Sequence, residues 1–277
     1  MCYTTDISRR KIVVANFKMN LDHLESVFYT QKLAWLLADA NHDYSKVGVV
    51  LLAPFTDLRS IQTLVQADKM ELEYGAQDVS THRSGSYTGE ISAKQLAKLG
   101  VTYCLASHTE RRKFFAENDE IMLKKATRAL EEGIKPILCI GETSEEELPV
   151  PDFDFLFGQL DPIVRKINSI GKDEVIPFLE NTMIAYEPRW AVSNGLTCTH
   201  EFIGRVMSGI RKKMNAEIGE DAASKVHLLY GGSVNLNTVG QIVAQDNVDG
   251  VLVGKASLNP EDFSKIVRVV SKLDNGS

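Results

Sequence analysis

The sequence predicts an α/β protein built as a (β/α)8 barrel in a single domain that covers residues 1–277. Eight short runs of apolar and β-branched residues alternate along the chain with amphipathic stretches. Most of these runs are continuously apolar, which is typical of parallel strands buried on both faces. Eight strand–helix units joined by right-handed crossovers fit a closed barrel of about 250 residues.

The apolar runs give the predicted strands in chain order. They cover residues 11–17, 47–53, 71–76, 101–106, 136–140, 182–186, 226–230 and 250–253. Helical spacing predicts helices over residues 24–40, 58–67, 121–130, 202–218 and 239–244, and a last helix that begins at Pro260. Asn118 is a typical N-cap, and Asn259 precedes a proline and two acids at the start of the last helix.

An open, doubly wound parallel sheet is the alternative architecture for the same alternation of strands and helices. That fold favours a glycine-rich turn after the first strand. The turn at residues 16–20 reads Asn-Phe-Lys-Met-Asn and contains no glycine. The chain also shows no linker or shift in composition that would mark a second domain. The closed barrel is therefore the preferred prediction.

The charge composition argues against several classes of partner. The chain has 31 Lys and Arg against 37 Asp and Glu, which gives a formal net charge of −6. A mildly acidic chain without a basic block is a poor candidate for binding nucleic acid or a membrane surface. The longest apolar run, near residues 47–55, is too short to cross a membrane, which takes ~20 residues. An anionic substrate would need a local positive site on this chain.

The N-terminal segment and the cysteines predict a cytoplasmic protein. Residues 1–6 contain no apolar stretch of the kind found in signal peptides. The four cysteines are far apart and form no C-x-x-C pair, so we expect free thiols. The histidines show no metal-ligand spacing, and no Walker loop or nucleophile elbow occurs. We therefore expect neither a metal nor a cofactor.

Three polar residues that directly follow predicted strands are candidates for catalysis, because reactive groups of barrels lie where strands end. Glu187 follows the sixth strand, where apolar walls would raise the pKa of a general base. His108 follows the fourth strand and Lys18 the first. A neutral imidazole can donate a hydrogen bond to a carbonyl oxygen, and a lysine attracts an anion. The alternatives are a paired structural acid, a structural histidine and a solvated lysine.

Two turns of small residues predict an anion site. Residues 231–233 (Gly-Gly-Ser) follow the seventh strand, and residues 254–257 (Gly-Lys-Ala-Ser) follow the eighth. Backbone N–H groups in such turns can hold a phosphate, and phosphate-binding barrels use this location. Each turn by itself is also compatible with a simple tight turn, and it is the pair that favours a binding site.

The segment after Glu187 has the composition of a lid. Residues 188–197 begin with proline, continue through an apolar part that contains Trp190, and end in small and polar residues. Such a segment can close over a site as one body on hinges. An ordinary surface loop is the alternative, but that interpretation leaves a solvent-exposed Trp190 without an explanation.

These motifs resemble those of the triosephosphate isomerase family, in the same order from the first strand to the last helix. The matching segments are Asn-Phe-Lys-Met-Asn at 16–20, Thr-Gly-Glu at 88–90, Ser-His-Thr-Glu-Arg-Arg at 107–112, Cys-Ile-Gly-Glu at 139–142, Tyr-Glu-Pro-Arg-Trp-Ala at 186–191, Tyr-Gly-Gly-Ser-Val at 230–234 and Leu-Val-Gly-Lys-Ala-Ser-Leu at 252–258. The resemblance implies a TIM barrel that interconverts glyceraldehyde 3-phosphate and dihydroxyacetone phosphate without a cofactor.

The resemblance also implies a role for each matched residue. Glu187 would move a proton between adjacent carbons through an enediol(ate), with His108 as neutral electrophile, a pairing for which this family is the standard example. Lys18 would stabilise developing negative charge, and Asn16 would help to orient Lys18. Glu110 would be a supporting acid beside Lys18. The implied phosphate ligands are Ser193, Ser233, Gly254 and Lys255. The loop from Gln77 to Glu90 resembles the family's protruding loop, which implies a homodimer in which Thr88 reaches the partner's site.

The chain departs from the family pattern near these residues without losing an acid, a base or an electrophile. Ser107 stands where the family usually has glycine, Thr109 where it has serine, Arg189 where it has valine and Lys255 where it has glycine. Residues 193–196 read Ser-Asn-Gly-Leu instead of Gly-Thr-Gly-Lys. Two alternatives follow from these differences. One is an isomerase of a four-carbon ketose phosphate such as erythrulose phosphate, and the other is a phosphosugar-binding regulatory barrel with little turnover.

Overall fold

A computed structural model of the chain describes residues 10–142, 151–171, 177–194 and 198–274. Its strands form a closed parallel barrel in chain order, in which β8 pairs back to β1. The strands are β1 (Lys11–Asn16), β2 (Val47–Ala53), β3 (Glu73–Ala76), β4 (Tyr103–Ser107), β5 (Lys135–Ile140), β6 (Met183–Tyr186), β7 (His227–Tyr230) and β8 (Gly250–Val253). The predicted (β/α)8 barrel is confirmed, and closure excludes the open sheet. The extent of one domain over residues 1–277 stays a prediction.

The helices surround the barrel and connect successive strands. They are α1 (His23–Asp39), α2 (Leu58–Ala67), α3 (Ala93–Lys98), α4 (Thr109–Phe115), α5 (Asp119–Glu131), α6 (Phe153–Ser169), α7 (Arg189–Asn194), α8 (His200–Ile218), α9 (Glu220–Ala223), α10 (Val239–Val243) and α11 (Pro260–Asp274), with a 3₁₀ turn at Lys255–Ser257. The predicted helices match α1, α2, α5, α8 and α10 within two residues at each end, and α11 begins at Pro260 as predicted. None of the described helices has the length and apolar content that a membrane span needs.

Two asparagine side chains begin helices as the sequence predicts. The Asn118 side chain accepts a hydrogen bond from the Ile121 N–H at 3.0 Å, and the Asn259 side chain accepts one from the Asp262 N–H at 3.0 Å. Each bond satisfies an N–H that has no partner inside its own helix, which is what an N-cap supplies.

Alternate residues of each strand face the barrel interior, and the others face the helices. The interior cluster comprises Ile12, Val14, Val50, Leu52, Tyr103, Leu105, Ile137, Cys139, Met183, Ala185, Leu229 and Leu252. Asn16 continues the inward row of Ile12 and Val14, and Glu187 lies two residues beyond the inward-facing Ala185. Because side chains along a strand alternate between the two faces, the side chains of Asn16 and Glu187 both point into the carboxyl end of the barrel.

Candidate functional site

A cavity of about 400 Å³ opens at the carboxyl ends of the strands. It is lined by Asn16, Lys18, His108, Glu187, Ala191, Gly231, Gly232, Ser233, Val234, Leu252, Gly254, Lys255 and Ala256. These residues come from the ends of β1, β4, β6, β7 and β8 and from the segments that follow them. The fold thus brings together candidates that are up to 239 positions apart in the chain, from Asn16 to Lys255.

Glu187 is held by groups from the start of α4. Its Oε1 lies 3.1 Å from His108 Nε2. Its Oε2 accepts hydrogen bonds from the backbone N–H and from the hydroxyl of Thr109, both at 3.2 Å. The Glu187 side chain is 2% exposed, so these donors replace the water that a carboxylate needs.

The tautomer of His108 follows from its position as the N-cap of α4. The N–H of Glu110 donates to His108 Nδ1 at 3.2 Å, so Nδ1 carries no proton and Nε2 does. The positive end of the α4 dipole also disfavours a protonated imidazole. Nε2–H therefore faces the cavity as a donor, and Glu187 Oε1 lies 3.1 Å from it.

Burial and pairing act in opposite directions on the pKa of Glu187. Burial raises it, but the neighbouring His108 and the Thr109 N–H lower it, and the net shift of the pKa is downward. The predicted rise is therefore wrong, because the carboxylate meets donors as well as apolar walls. Burial lowers the pKa of His108, but the Glu187 carboxylate raises it and the net shift is upward. A ligand that separates the two side chains would remove the main influence that favours a charged imidazole.

Lys18 is fixed at the cavity mouth by its backbone and its side chain. Its φ of +52° is in the left-handed region, which costs a non-glycine residue on the order of 1 kcal/mol. Its N–H donates to Asn16 Oδ1 at 3.0 Å, and its Nζ donates to Glu110 Oε1 at 2.6 Å. Glu110 thus contacts Lys18 as predicted, and its Oε2 also lies 3.5 Å from His108 Nδ1.

Asn16 and His108 direct two donors into the same part of the cavity. Asn16 Nδ2 lies 3.4 Å from His108 Nε2. Because the Asn16 Oδ1 is occupied by the Lys18 N–H, its Nδ2 is the atom that faces the imidazole. Two N–H groups cannot bond to each other, so an oxygen of a ligand that takes His108 Nε2–H from Glu187 could accept from both groups, and Lys18 lines the same cavity.

The predicted phosphate residues whose side chains are described line the same cavity. Ser233, Gly254 and Lys255 are all cavity residues, and they belong to the two turns that follow β7 and β8. A Cβ at Gly254 would lie 3.3 Å from Lys18 Cε, so glycine lets the turn approach the lysine closely. The turns and the ammonium group thus lie together, as the predicted anion site requires.

The structure changes the interpretation of residues 188–197. Trp190 is 1% exposed and packs edge-on against Phe202 of α8, with ring centroids 5.8 Å apart. The argument from an exposed tryptophan was therefore wrong. Residues 189–194 form α7, while residues 195–197 and the side chain of Ser193 lie outside the described residues. The lid and the role of Ser193 stay predictions.

Thr88 lies apart from the cavity of its own chain. It is exposed in the loop from Gln77 to Glu90, and every residue from 82 to 90 is exposed. The structure thus places this candidate where it can reach another molecule and not the residues of its own site.

Two further residues contact the candidate base. Thr109 supplies two of the hydrogen bonds to Glu187. The sequence feature that could have identified it is its position directly after His108. Gly231 gives the base room, because a Cβ there would lie 2.7 Å from Glu187 Cγ. A sequence without coordinates gives no sign of that contact.

No group of three or more His, Cys, Asp or Glu side chains among the described residues is arranged to hold a metal ion. The chemistry available in the cavity is instead that of a carboxylate, an imidazole N–H, an amide N–H and an ammonium group. A barrel with this set around one small cavity defines an acid–base enzyme that acts on a small anionic substrate.

The comparisons with known proteins agree with this class. The family model described as triosephosphate isomerase matches residues 11–270. Triosephosphate isomerase of Streptomyces coelicolor is 44% identical over 94% of this chain and 98% of its own length. The enzymes of Corynebacterium efficiens and Bifidobacterium longum are 43% and 39% identical, over 94% and 95% of this chain and 96% of their own lengths. The chain belongs to the triosephosphate isomerase family.

Proposed function

We propose that the protein interconverts glyceraldehyde 3-phosphate and dihydroxyacetone phosphate by proton transfer through an enediol(ate). The observation that carries the proposal is the single cavity that joins Glu187, His108 and Lys18 to the turns at Ser233 and Gly254. Its volume of about 400 Å³ falls in the range of small-molecule sites. Membership of the family supports the same substrate pair.

In this proposal Glu187 is the base that moves the proton. The Glu187 carboxylate removes a proton from the carbon next to the carbonyl, while His108 Nε2–H donates to the carbonyl oxygen that becomes negative. His108 Nε2 then gives its proton to the former carbonyl oxygen and takes the proton of the neighbouring hydroxyl, which becomes the new carbonyl. Glu187 returns its proton to the neighbouring carbon, so both residues end in their starting states. General acid–base help of this kind contributes about 10²–10⁴-fold, and each fixed donor to an oxyanion about 10²–10³-fold.

Lys18 and Asn16 act on the charge that develops at the oxygens. The Asn16 Nδ2 and the His108 Nε2, 3.4 Å apart, can reach one oxygen together. The Lys18 ammonium balances the charge of the substrate in a chain with a net charge of −6. Ser233, Gly254, Lys255 and Ser193 are the proposed phosphate ligands, and closure of residues 188–197 would exclude water from the intermediate.

Replacement of the base tests the proposed reaction. We expect Glu187→Ala and Glu187→Gln to lower kcat by at least about 10³-fold with an unchanged fold, because no other described carboxylate lines the cavity. The control is Glu132→Gln, at the exposed C-cap of α5, which should retain wild-type turnover. Turnover near that of the wild type in either Glu187 variant would refute the assignment of the base.

A panel of substrates separates the triose reaction from its alternatives. We expect kcat/KM to be highest for the three-carbon pair and lower for four-carbon ketose phosphates such as erythrulose phosphate. A preference for the four-carbon substrate would replace the proposed substrate and leave the chemistry unchanged. A regulatory barrel would bind the phosphosugars without exchanging the proton of the substrate carbon with solvent deuterium, and NMR of the substrate measures that exchange.

We also propose that the protein is a homodimer formed through the loop from Gln77 to Glu90, with Thr88 reaching the partner's site. Two exposed apolar side chains support this: Met19, next to Lys18, is 98% exposed, and Tyr87 in the loop is 45% exposed. Large apolar side chains at the surface of a folded chain favour association. The interface would be isologous, so each chain would complete the other's site.

Sedimentation equilibrium tests the dimer, which should have twice the chain mass of 30.7 kDa. Tyr87→Glu should shift the protein toward the monomer, because the new carboxylate would be buried unpaired in the interface. Trp35→Glu is the matched control, since Trp35 is 64% exposed on α1 and outside the loop. A wild-type monomer, or equal effects of both substitutions, would contradict the proposed interface. We further propose that the enzyme acts in glycolysis and gluconeogenesis. Its proposed location is the cytoplasm, as the sequence predicts.

A further inference from the structure

One buried hydroxyl connects α1 to the turn that follows β8. Tyr29 is 4% exposed, and its hydroxyl donates a hydrogen bond to the backbone oxygen of Ser257 at 2.6 Å. Burial raises the pKa of this hydroxyl, so it keeps its proton and remains a donor. The two residues are 228 positions apart, and the bond therefore fixes a long-range contact.

The acceptor belongs to the turn that lines the cavity. The N–H and the hydroxyl of Ser257 both donate to the Gly254 oxygen, at 2.8 and 2.7 Å, and the Leu258 N–H donates to the Lys255 oxygen at 3.2 Å. These short-range bonds hold the shape of the turn but do not fix it to the rest of the barrel. Tyr29 supplies a hydrogen bond from outside, at the buried end of the turn.

The same side chain supports the other part of the cavity. The Tyr29 ring packs edge-on against Phe17, with ring centroids 4.7 Å apart and an angle of 70° between the planes. Phe17 is fully buried and directly precedes Lys18. Tyr29 thus contacts both the residue before the catalytic lysine and the residue that ends the turn.

We infer that Tyr29 is a positioning residue for the anion site, whose hydroxyl holds the turn of residues 254–257 at the distance from Lys18 that a phosphate group requires. The inference rests on the proposed function, because it assigns the substrate's phosphate to this turn. Tyr29 lies outside the cavity and touches no substrate, so it acts only through Ser257 and Phe17. Lys255 stands where the family usually has glycine. The turn that Tyr29 anchors is therefore also the turn that holds this bulkier side chain.

The test is Tyr29→Phe, which removes the hydroxyl and keeps the ring that packs on Phe17. We expect the Kd for inorganic phosphate, measured by calorimetry on the full chain, to rise about 3- to 10-fold, as the loss of one hydrogen bond from a preorganised site allows. The KM for the triose phosphate should rise by a similar factor. The kcat should stay within about twofold, because Glu187 and His108 are untouched.

Tyr74→Phe is the matched control. Tyr74 is also buried, at 5% exposure, and its hydroxyl also donates to a backbone oxygen, that of Leu99, at 2.7 Å. Neither Tyr74 nor Leu99 lines the cavity. Both variants lose one hydroxyl-to-carbonyl bond and should lose similar stability in urea unfolding, but only Tyr29→Phe should weaken phosphate binding.

Equal phosphate affinities in the two variants would overturn the inference, and so would a wild-type protein that binds no inorganic phosphate. Because phosphate binding is measured without turnover, these results are distinct from the failure of the proposed function, which would appear as a wild-type protein without isomerase activity. If Tyr29→Phe is too unstable for calorimetry, hydrogen exchange of the Ser257 and Leu258 amides tests whether the turn is still held in place. Faster exchange supports the inference, and unchanged exchange refutes it.

Discussion

Gly231→Ala is the substitution whose effect the structure predicts most directly. Gly231 follows β7 and lies beside the candidate base, and the added Cβ would lie 2.7 Å from Glu187 Cγ and 3.2 Å from its Oε1. Ordinary contacts of a Cβ begin at about 3.4 Å. Glu187 would have to move by about 0.7 Å or more, because the Cβ of an alanine is fixed to the backbone and cannot turn away.

The size of that displacement sets the expected loss of activity. A shift of about 1 Å in a catalytic group can cost about 10²-fold in rate, so we expect Gly231→Ala to lower kcat about 10- to 100-fold. The movement also lengthens the 3.1 Å contact with His108 and the 3.2 Å bonds from Thr109, which define where the carboxylate lies. The loss should appear in kcat more than in KM, because the atoms nearest to the added Cβ all belong to Glu187.

The assay is turnover of glyceraldehyde 3-phosphate, with thermal unfolding as the check on folding. Gly158→Ala on α6 is the matched control, since its Cβ would have no neighbour within 4 Å. That control should keep wild-type kcat and gain a little stability, because alanine is the better helix former. A Gly231→Ala enzyme within about twofold of the wild-type kcat would show that the contact does not position the base.

Three further outcomes are expected. His108→Gln removes the group that lowers the pKa of Glu187, and the burial that remains should raise that pKa. The acidic limb of the profile of kcat/KM against pH should therefore move to higher pH. An unmoved limb would contradict the coupling between His108 and Glu187. Asp249→Asn should cost about 3–5 kcal/mol in urea unfolding, because it removes the buried carboxylate charge that lies 3.0 Å from the Arg211 guanidinium. A loss under about 1 kcal/mol would contradict this. Thr109→Val should lower the catalytic rate several-fold through loss of one hydroxyl bond to Glu187, with unchanged far-UV circular dichroism as the check on folding.

Much of the fold could be predicted from the sequence. The predicted bounds of β2 and β8 agree with the structure residue for residue, because both are short apolar runs that a polar residue precedes and a proline or glycine follows. Strand β3 was predicted to begin at residue 71 and begins at Glu73, since Glu71 and the buried Leu72 precede the residues that pair with β2. Helices α3, α4, α7 and α9 were not predicted, because four to seven residues are too few to show a helical period. Helix α6, with 17 residues, was also missed.

The site was predictable in its chemistry and not in its electrostatics. Polar residues after strands gave Glu187, His108 and Lys18, because the carboxyl end of a parallel barrel collects them. The direction of the pKa shift of Glu187 was wrong, since donors from Thr109 and His108 outweigh burial. Those donors reach the carboxylate only after β4 and β6 have been placed near each other.

The sequence by itself determined the alternation of strands and helices, the order of the motifs and the types of reactive group, because these depend on local composition and periodicity. The tertiary structure alone decided that Trp190 is buried, that Gly231 makes room for Glu187 and that the Tyr29 hydroxyl reaches Ser257. Such contacts join residues that are 12 to 228 positions apart. They exist only once the barrel has closed, because closure and not local propensity sets the distances between side chains on different strands and helices.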